Sequence, residues 1–390
     1  MRGKILIIGA GIIGAACARS LSRRGMDVTI VDRGPAAGGT SAAGEGNLLV
    51  SDKGPGAELE LAKYSLDLWR SLVGSLEDEL GSAFAPVEYD PKGGVVAASS
   101  ASDAEALFRF AEAQRGVGVD ARTLSVAEAL ALEPELSPAI AAAVFYPHDA
   151  QVQPAVASEA LLASARAAGT RVLTGTAITG ALRDSGGRLI GVTTTNGSIS
   201  ADDVVVAAGP WSGDVARLLG GVLHVGPRKG LLLVTTRMAH RVLHKVYDTS
   251  YVGAVQSDSS ALQTSSVIES TAAGTVLIGS SRQDVGFDDR IDVAVLRAIA
   301  ANAIRLMPFL ADAMVMRAYG GFRPFSRDHL PIIGPDLDVP GLWYATGHEG
   351  AGIGLAPATA ELLTALLLGE PTSIAVEAFL PGRASLVGTA

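Results

Sequence analysis

Residues 4–33 read KILIIGAGIIGAACARSLSRRGMDVTIVDR. The run Ile5-Leu6-Ile7-Ile8 has the unbroken apolar character of a strand covered on both faces. Gly9, Gly11 and Gly14 follow in G-x-G-x-x-G spacing and open a helix whose apolar positions are Ile13, Cys17, Ala18 and Leu21. A second strand, Val28-Thr29-Ile30-Val31, ends on Asp32. Each glycine has a separate task. Gly9 permits the tight turn, Gly11 lets the backbone approach a pyrophosphate, and Gly14 brings helix and strand close. The helix N-terminus offers N–H groups and partial positive charge to phosphates. Asp32 can accept hydrogen bonds from an adenosine ribose. A glycine pattern alone is weak evidence, but this one lies between two strands and closes on an acid. The stretch points to a dinucleotide with an unphosphorylated ribose, either FAD or NAD.

The rest of the chain is consistent with a large α/β protein. Its 390 residues suffice for two or three domains, 48% are hydrophobic, and 46 glycines with only 5% aromatics imply tight, loop-rich packing. A net charge of -9 disfavours nucleic acid and anionic membrane as partners. The single cysteine, Cys17, excludes an intrachain disulfide and a multi-cysteine metal site, and no metal ligands are expected. Arg2 and Lys4 ahead of an apolar stretch mimic a signal peptide, but the glycine spacing and the following strand favour the nucleotide fold. No uncharged apolar run reaches the ~18 residues of a membrane span. A soluble, cytoplasmic protein is the default expectation.

After Asp32, residues 33–47 (RGPAAGGTSAAGEGN) form a loop whose small residues allow close approach to a flat ligand. Thr40 and Ser41 can donate to phosphate or ribitol oxygens there. A helix is expected over 57–81, a strand pair over 88–99, and a helix over 103–116 with Ser102 as its cap. Further helices are expected over 125–132, 152–168 and 291–307. A strand is expected over 169–173, and a hairpin turning at Asn196-Gly197 within 192–206. The second strand of that hairpin, 203–208, runs into Gly209-Pro210-Trp211-Ser212, where small residues again suit a ligand. Residues 222–281 read as mostly β, and 320–324 (GGFRP) as a turn. The strand 342–346 leads into GHEGAGIG (347–354) and a helix over 356–368.

Two features favour FAD over NAD. The fingerprint continues into a glycine loop and a long helix rather than into repeated strand–helix units. The second glycine loop also opens a helix, which suits the negative charge that a reduced flavin carries near N1.

At these residues the chain resembles the D-amino-acid oxidase, glycine oxidase and sarcosine oxidase family of FAD-dependent amine oxidoreductases. The segments that carry the likeness are IIGAGIIGAACARSL, TSAAGEGNL, VVVAAGPWSG, GGFRPFSRDHLPIIG and YATGHEGAGIGLAPATAELL, in this order across nearly the whole chain. The GHEGAGIG form is most similar to the hydrogen cyanide synthase and D-hydroxyproline dehydrogenase branch. The resemblance implies an α/β chain, α+β overall: a discontinuous Rossmann-like FAD domain with an inserted antiparallel-sheet substrate domain. The FAD domain is expected at 1–85, 146–220 and 320–390, and the substrate domain at 86–145 and 221–319.

The resemblance also implies roles. Gly9, Gly11, Ile12, Ile13 and Gly14 meet the pyrophosphate, and Asp32 and Arg33 the adenosine side. Thr40, Ser41, Gly44, Gly46, Asn47 and Leu48 run beside the ribityl chain and ring, with Gly209 and Trp211 nearby. Ile178 holds adenine through its backbone, and Gly350, Gly352, Ile353 and Gly354 cover the pyrimidine edge of the flavin. Arg323 matches the arginine that grips the substrate carboxylate. The segment Gly320-Gly321-Phe322 lacks the cysteine that tethers FAD in sarcosine oxidases, so non-covalent FAD is expected. Residues 262–269 lack the tyrosine that glycine and D-amino-acid oxidases use as a second carboxylate contact.

Amine oxidation needs a clamp for the carboxylate, a neutral amine and exclusion of water. Arg323 suits the clamp because its planar fork matches a carboxylate. His348 can touch flavin or substrate, or cap its loop. Glu349 and Glu45 can each receive the substrate ammonium or face solvent. His329 reads as structural. The expected activity is oxidation of a small amino acid or secondary amine, with oxygen or an electron-transfer partner as acceptor. A catalytic subunit serving an iron–sulfur partner and a non-catalytic flavin module are the alternatives. A homo-oligomer is left open.

Overall fold

The computed structural model describes residues 3–255 and 261–387. A six-stranded sheet has at its centre the strand Lys4–Ile8, flanked in parallel by Asp27–Val31 and Asp203–Val206. Leu342–Thr346 extends it in parallel beyond Asp203–Val206, Arg171–Leu173 extends it beyond Asp27–Val31, and Ile332–Pro335 adds an antiparallel edge. The sheet therefore draws on three separated parts of the sequence. Its apolar strands are covered on both sides, and alternate residues point to opposite faces. Ile5 and Ile7 pack among the helices Ile12–Arg23, Pro154–Ala167 and Gly352–Leu368. Leu6 and Ile8 pack into a smaller core with Leu189, Val192 and Tyr344.

A second, eight-stranded sheet runs in the order Val315–Ser326, Val225–Thr235, Val276–Arg282, Gln263–Ser270, Lys245–Asp248, Gly94–Ala98, Ala142–Tyr146 and Arg122–Leu124. Its pairs are antiparallel except for Lys245–Asp248 against Gly94–Ala98, which is parallel. The helix Val293–Leu306 lays Val295, Ile299, Ala303 and Leu306, at helical spacing, on one face. The expected domain boundary at 320 falls inside the strand Val315–Ser326, and that at 145–146 inside Ala142–Tyr146.

Several local expectations are corrected. Residues 320–324 are not a turn but the middle of a strand, with Phe322 opposite Lys229 and Arg323 opposite Arg228. The glycines serve close packing there: a Cβ on Gly321 would lie 2.5 Å from the Cβ of Ala43. Pro324 is tolerated because this is an edge strand. Residues 88–99 hold one strand, Gly94–Ala98, because Pro91 and Gly93 interrupt the ladder; Asp90 makes only an isolated bridge to Gln151. The hairpin at Asn196-Gly197 pairs Leu189–Thr194 with Gly197–Ser200, while Asp203–Val206 leaves it for the parallel sheet. Ser100, not Ser102, caps the helix Ala101–Gly116, accepting from Asp103 N at 3.1 Å. The last long helix begins at Gly352 and accommodates Pro357 in its early turns.

Candidate active site

A cavity of about 460 Å³ lies where the carboxyl ends of the parallel strands meet the eight-stranded sheet. In open α/β sheets this is where ligands bind. The fingerprint turn forms one end. Gly9 has φ +113°, and a Cβ there would stand 2.4 Å from the carbonyl oxygen of Ala207. A Cβ on Gly14 would lie 1.9 Å from the Gly9 oxygen, so helix and strand touch through hydrogen alone. Asp32 fastens this turn: Oδ2 accepts from Ala10 N and Oδ1 from Gly34 N, both at 2.8 Å. A carboxylate has further lone pairs for a ribose. The Arg33 guanidinium lies 4.3 Å above the Trp211 ring, which stacks on Phe287 at 5.3 Å. Ile178 lines the same end beside Thr176 and Ala177.

Thr40, expected to donate to the ligand, gives its hydroxyl proton to the protein, whereas Ser41 only accepts there and keeps its O–H for a ligand. Ser41 Oγ accepts from Ile12 N at 2.9 Å, and Thr40 Oγ1 donates to the Phe322 carbonyl at 2.6 Å. Both still line the cavity, where they lock the loop to the first helix and to the large sheet. Gly44, Gly46 and Asn47 line the other end together with Gly350, Gly352 and Ile353. The start of the helix Gly352–Leu368 is fixed from behind, since Ser65 Oγ donates to the Gly354 carbonyl at 2.6 Å and Trp69 Nε1 to Ile353 O at 3.1 Å. Three residues expected at the cofactor do not line the cavity. Gly14 packs on Gly9, Leu48 is fully buried opposite Ala150, and Gly354 faces the backbone of Asn47 and Leu48.

Charge gathers at one wall. Arg323 lines the cavity and donates from Nη1 to the Ser281 carbonyl at 2.8 Å. Burial lowers its pKa to about 10, so it stays cationic at neutral pH. A Cβ on Gly230 would fall 2.5 Å from this guanidinium, so the glycine makes room for it. Arg282, nearly fully buried, places its guanidinium 5.2 Å from the ring centre of Tyr251, and Tyr251 lines the cavity. Neither was singled out from the sequence. Tyr251 lies outside residues 262–269, and Arg282 closes an ordinary-looking strand.

Both oxygens of Glu349 are already engaged by the protein. Its Oε1 is 3.0 Å from Arg228 Nη1 and its Oε2 2.8 Å from His329 Nδ1. Burial pushes its pKa up, but the His329 hydrogen bond and the Arg282 and Arg228 charges more than offset this and hold it below the usual carboxylate range. His329 is structural in the sense that it pins Glu349. His348 lines the cavity but is bound through Nε2 to Thr359 Oγ1 at 2.9 Å. Burial lowers its pKa to about 3, so it is neutral and no proton store near pH 7.

The residues present fit a flat, polar-edged cofactor. The cavity is bounded by glycines where side chains would collide, and three of its lining residues carry buried polar atoms without partners: Glu45 Oε1, Asn47 Oδ1 and His348 Nδ1. Such groups normally find a partner. No helix among the described residues is long and apolar enough to cross a membrane.

Comparison with known proteins agrees with this geometry. The model of the family described as FAD dependent oxidoreductase matches residues 4–366. Glycine oxidase of Pseudomonas aeruginosa is 31% identical over 389 residues, covering 98% of this chain and 99% of that protein. Hydrogen cyanide synthase subunit HcnC of the same organism is 30% identical over 417 residues, covering 97% and 95%. The crystal structure of glycine oxidase from Geobacillus kaustophilus superposes with a TM-score of 0.87 at 27% identity, over 98% of this chain and 99% of that one.

Proposed function

Because the chain belongs to the FAD dependent oxidoreductase family, we propose that it oxidises the C–N bond of a small amino acid or secondary amine to an imine. Glycine, a D-amino acid, sarcosine or a proline-like imino acid is the substrate class. The observation that carries this reading is Arg323: a half-buried, charged guanidinium set in the wall of a glycine-lined cavity.

FAD, when bound, supplies the two-electron acceptor for a hydride. Gly9, Gly11, Ile12 and Ile13 would hold its pyrophosphate, and Asp32, Arg33 and Ile178 its adenosine. Gly44, Gly46, Asn47, Gly209, Trp211, Gly350, Gly352 and Ile353 would border the remainder. Cys17 is buried within the helix Ile12–Arg23 and offers no thiol to the cavity, which supports non-covalent binding. Arg323 fixes the substrate carboxylate and so orients the Cα–H bond. Leu232, Tyr251 and Ile353 present apolar surface that keeps water from the reacting carbon. Glu349 and His348 act as scaffolding.

The test is anaerobic mixing of holoprotein with a panel of D-amino and N-alkyl amino acids while flavin colour is followed. Bleaching by at least one member supports the reading; a flavin that none of them bleaches opposes it. A second reading, a flavin subunit passing electrons to a separate iron–sulfur partner, draws on the likeness to a hydrogen cyanide synthase subunit. One cysteine cannot hold a cluster, so the cluster would lie on another chain. Readmitted air distinguishes the two: stoichiometric peroxide marks an oxidase, and a flavin that stays reduced marks the subunit.

A further inference from the structure

Glu45 is the one carboxylate lining the cavity beside Arg323 whose oxygens are not already taken by a cation, among the described residues. It follows the short helical turn Thr40–Ala43 and rests against the strand Val276–Arg282. A Cβ on Gly279 would lie 2.1 Å from Glu45 Oε1, so glycine at 279 provides the space for this carboxylate. Oε2 accepts a long hydrogen bond of 3.4 Å from Asn47 Nδ2, and Oε1 is buried without a partner.

The groups that face it come from four elements. Arg323 and Tyr319 come from Val315–Ser326, and Arg282 from Val276–Arg282. Lys245 comes from Lys245–Asp248 and Tyr251 from Thr249–Val255. The cations are engaged elsewhere: Lys245 is paired with Glu269, Arg323 bonds Ser281 O, and Arg282 lies over Tyr251. The Arg323 guanidinium and the open Glu45 carboxylate thus bound the same end of the cavity, while Arg282 reaches it only through Tyr251. The first two are the charge complement of a zwitterion.

We propose that Glu45 receives the ammonium of the substrate and removes one proton from it, leaving the amine neutral. This rests on the amine-oxidation reading above. The N–H bond breaks and its proton passes to Oε1. The freed nitrogen lone pair forms the C=N bond as the Cα hydrogen leaves with its electron pair to the FAD. Burial raises the Glu45 carboxyl above the ordinary range, toward the pH at which a base works best.

The test compares wild-type and Glu45→Gln holoenzymes, with glycine, sarcosine, D-alanine and D-proline as reductants in anaerobic stopped flow. With a base on the protein, the second-order rate of flavin reduction is bell-shaped in pH, falling below the carboxyl pKa and above that of the free ammonium. Glu45→Gln should lower it about 100-fold at pH 7. The profile should become a single rise of one log unit per pH unit up to the amine pKa. Binding to the dithionite-reduced enzyme, which cannot turn over, gives an independent readout. Glu45→Gln should weaken D-alanine about tenfold, the size of one charge-assisted hydrogen bond, and leave propionate unchanged.

An unaltered bell in the variant overturns the proposal, as does equal weakening of D-alanine and propionate. Should Glu45→Gln fail to fold, the wild type alone decides: a single rise in place of a bell also overturns it. A wild-type flavin that no amine bleaches instead removes the parent reading.

Discussion

Glu349 Oε1 lies 3.0 Å from Arg228 Nη1, in a pair where both side chains are almost wholly buried. The same carboxylate takes His329 on its other oxygen at 2.8 Å and holds a left-handed φ of +46°. The pair ties the loop after Leu342–Thr346 to the strand Val225–Thr235 and so holds Gly350 and Gly352 at the cavity. Breaking a buried ion pair by deleting one partner is costly, because the other charge stays desolvated. Glu349→Ala should therefore lower the unfolding free energy by about 3 kcal/mol. Urea unfolding of the apoprotein measures this, and a change within experimental error would mean the pair is not structural.

Gly9 cannot be replaced without distortion. Its φ of +113° is unfavourable for any L side chain, and a Cβ would stand 2.4 Å from Ala207 O. Gly9→Ala should push the Asp203–Val206 strand end away from the fingerprint and abolish stable flavin binding. The flavin-to-protein ratio after gel filtration checks this; a full complement of flavin would contradict it.

Gly230 faces Arg323. A methyl there would come within 2.5 Å of Nη1, and the guanidinium must yield. Gly230→Ala should weaken binding of nitrogen-free carboxylates such as propionate about tenfold, the size of one charge-assisted hydrogen bond, with flavin retained. Calorimetry on the reduced holoenzyme reads the first quantity and absorbance the second.

His348 gives the fold a pH dependence of known sign. Burial depresses its folded pKa to about 3, whereas an unfolded histidine titrates near 6.5. Between these values the unfolded chain binds a proton that the folded chain does not, so stability falls as the pH falls below about 6.5. The wild type should lose about 1 kcal/mol more than His348→Gln between pH 6 and pH 5. Glu58, raised to about 7 by burial, has the opposite sign, so the difference between the two proteins, not the wild-type curve alone, is the readout.

Much of the nucleotide half was legible because its determinants are local. Gly9, Gly11 and Gly14 are required by backbone geometry within one turn, and the Asn196-Gly197 hairpin is encoded by its own two residues. The misreadings share a different cause. Gly320 and Gly321 look like turn residues, but they answer to close packing, Gly321 against Ala43. The strand Asp203–Val206 reads as part of the hairpin because its true neighbours, Lys4–Ile8 and Leu342–Thr346, are distant in sequence. The pairing of Glu349 with Arg228 has no sign in the local sequence, because the two lie 121 positions apart. The place of Arg323 in the cavity wall followed from family likeness, whereas Arg282 and Tyr251 were exposed only by the assembled sheet.

The central claim is that Arg323 grips the carboxylate of an amine whose hydride leaves to bound FAD. It is tested most directly by anaerobic reduction of wild-type and Arg323→Ala holoenzymes with the fastest amine of the panel, at limiting concentration. Loss of a charge-assisted bidentate contact predicts a second-order rate lower by about 100-fold, with the oxidised flavin spectrum intact. Equal rates in the two proteins would contradict the account.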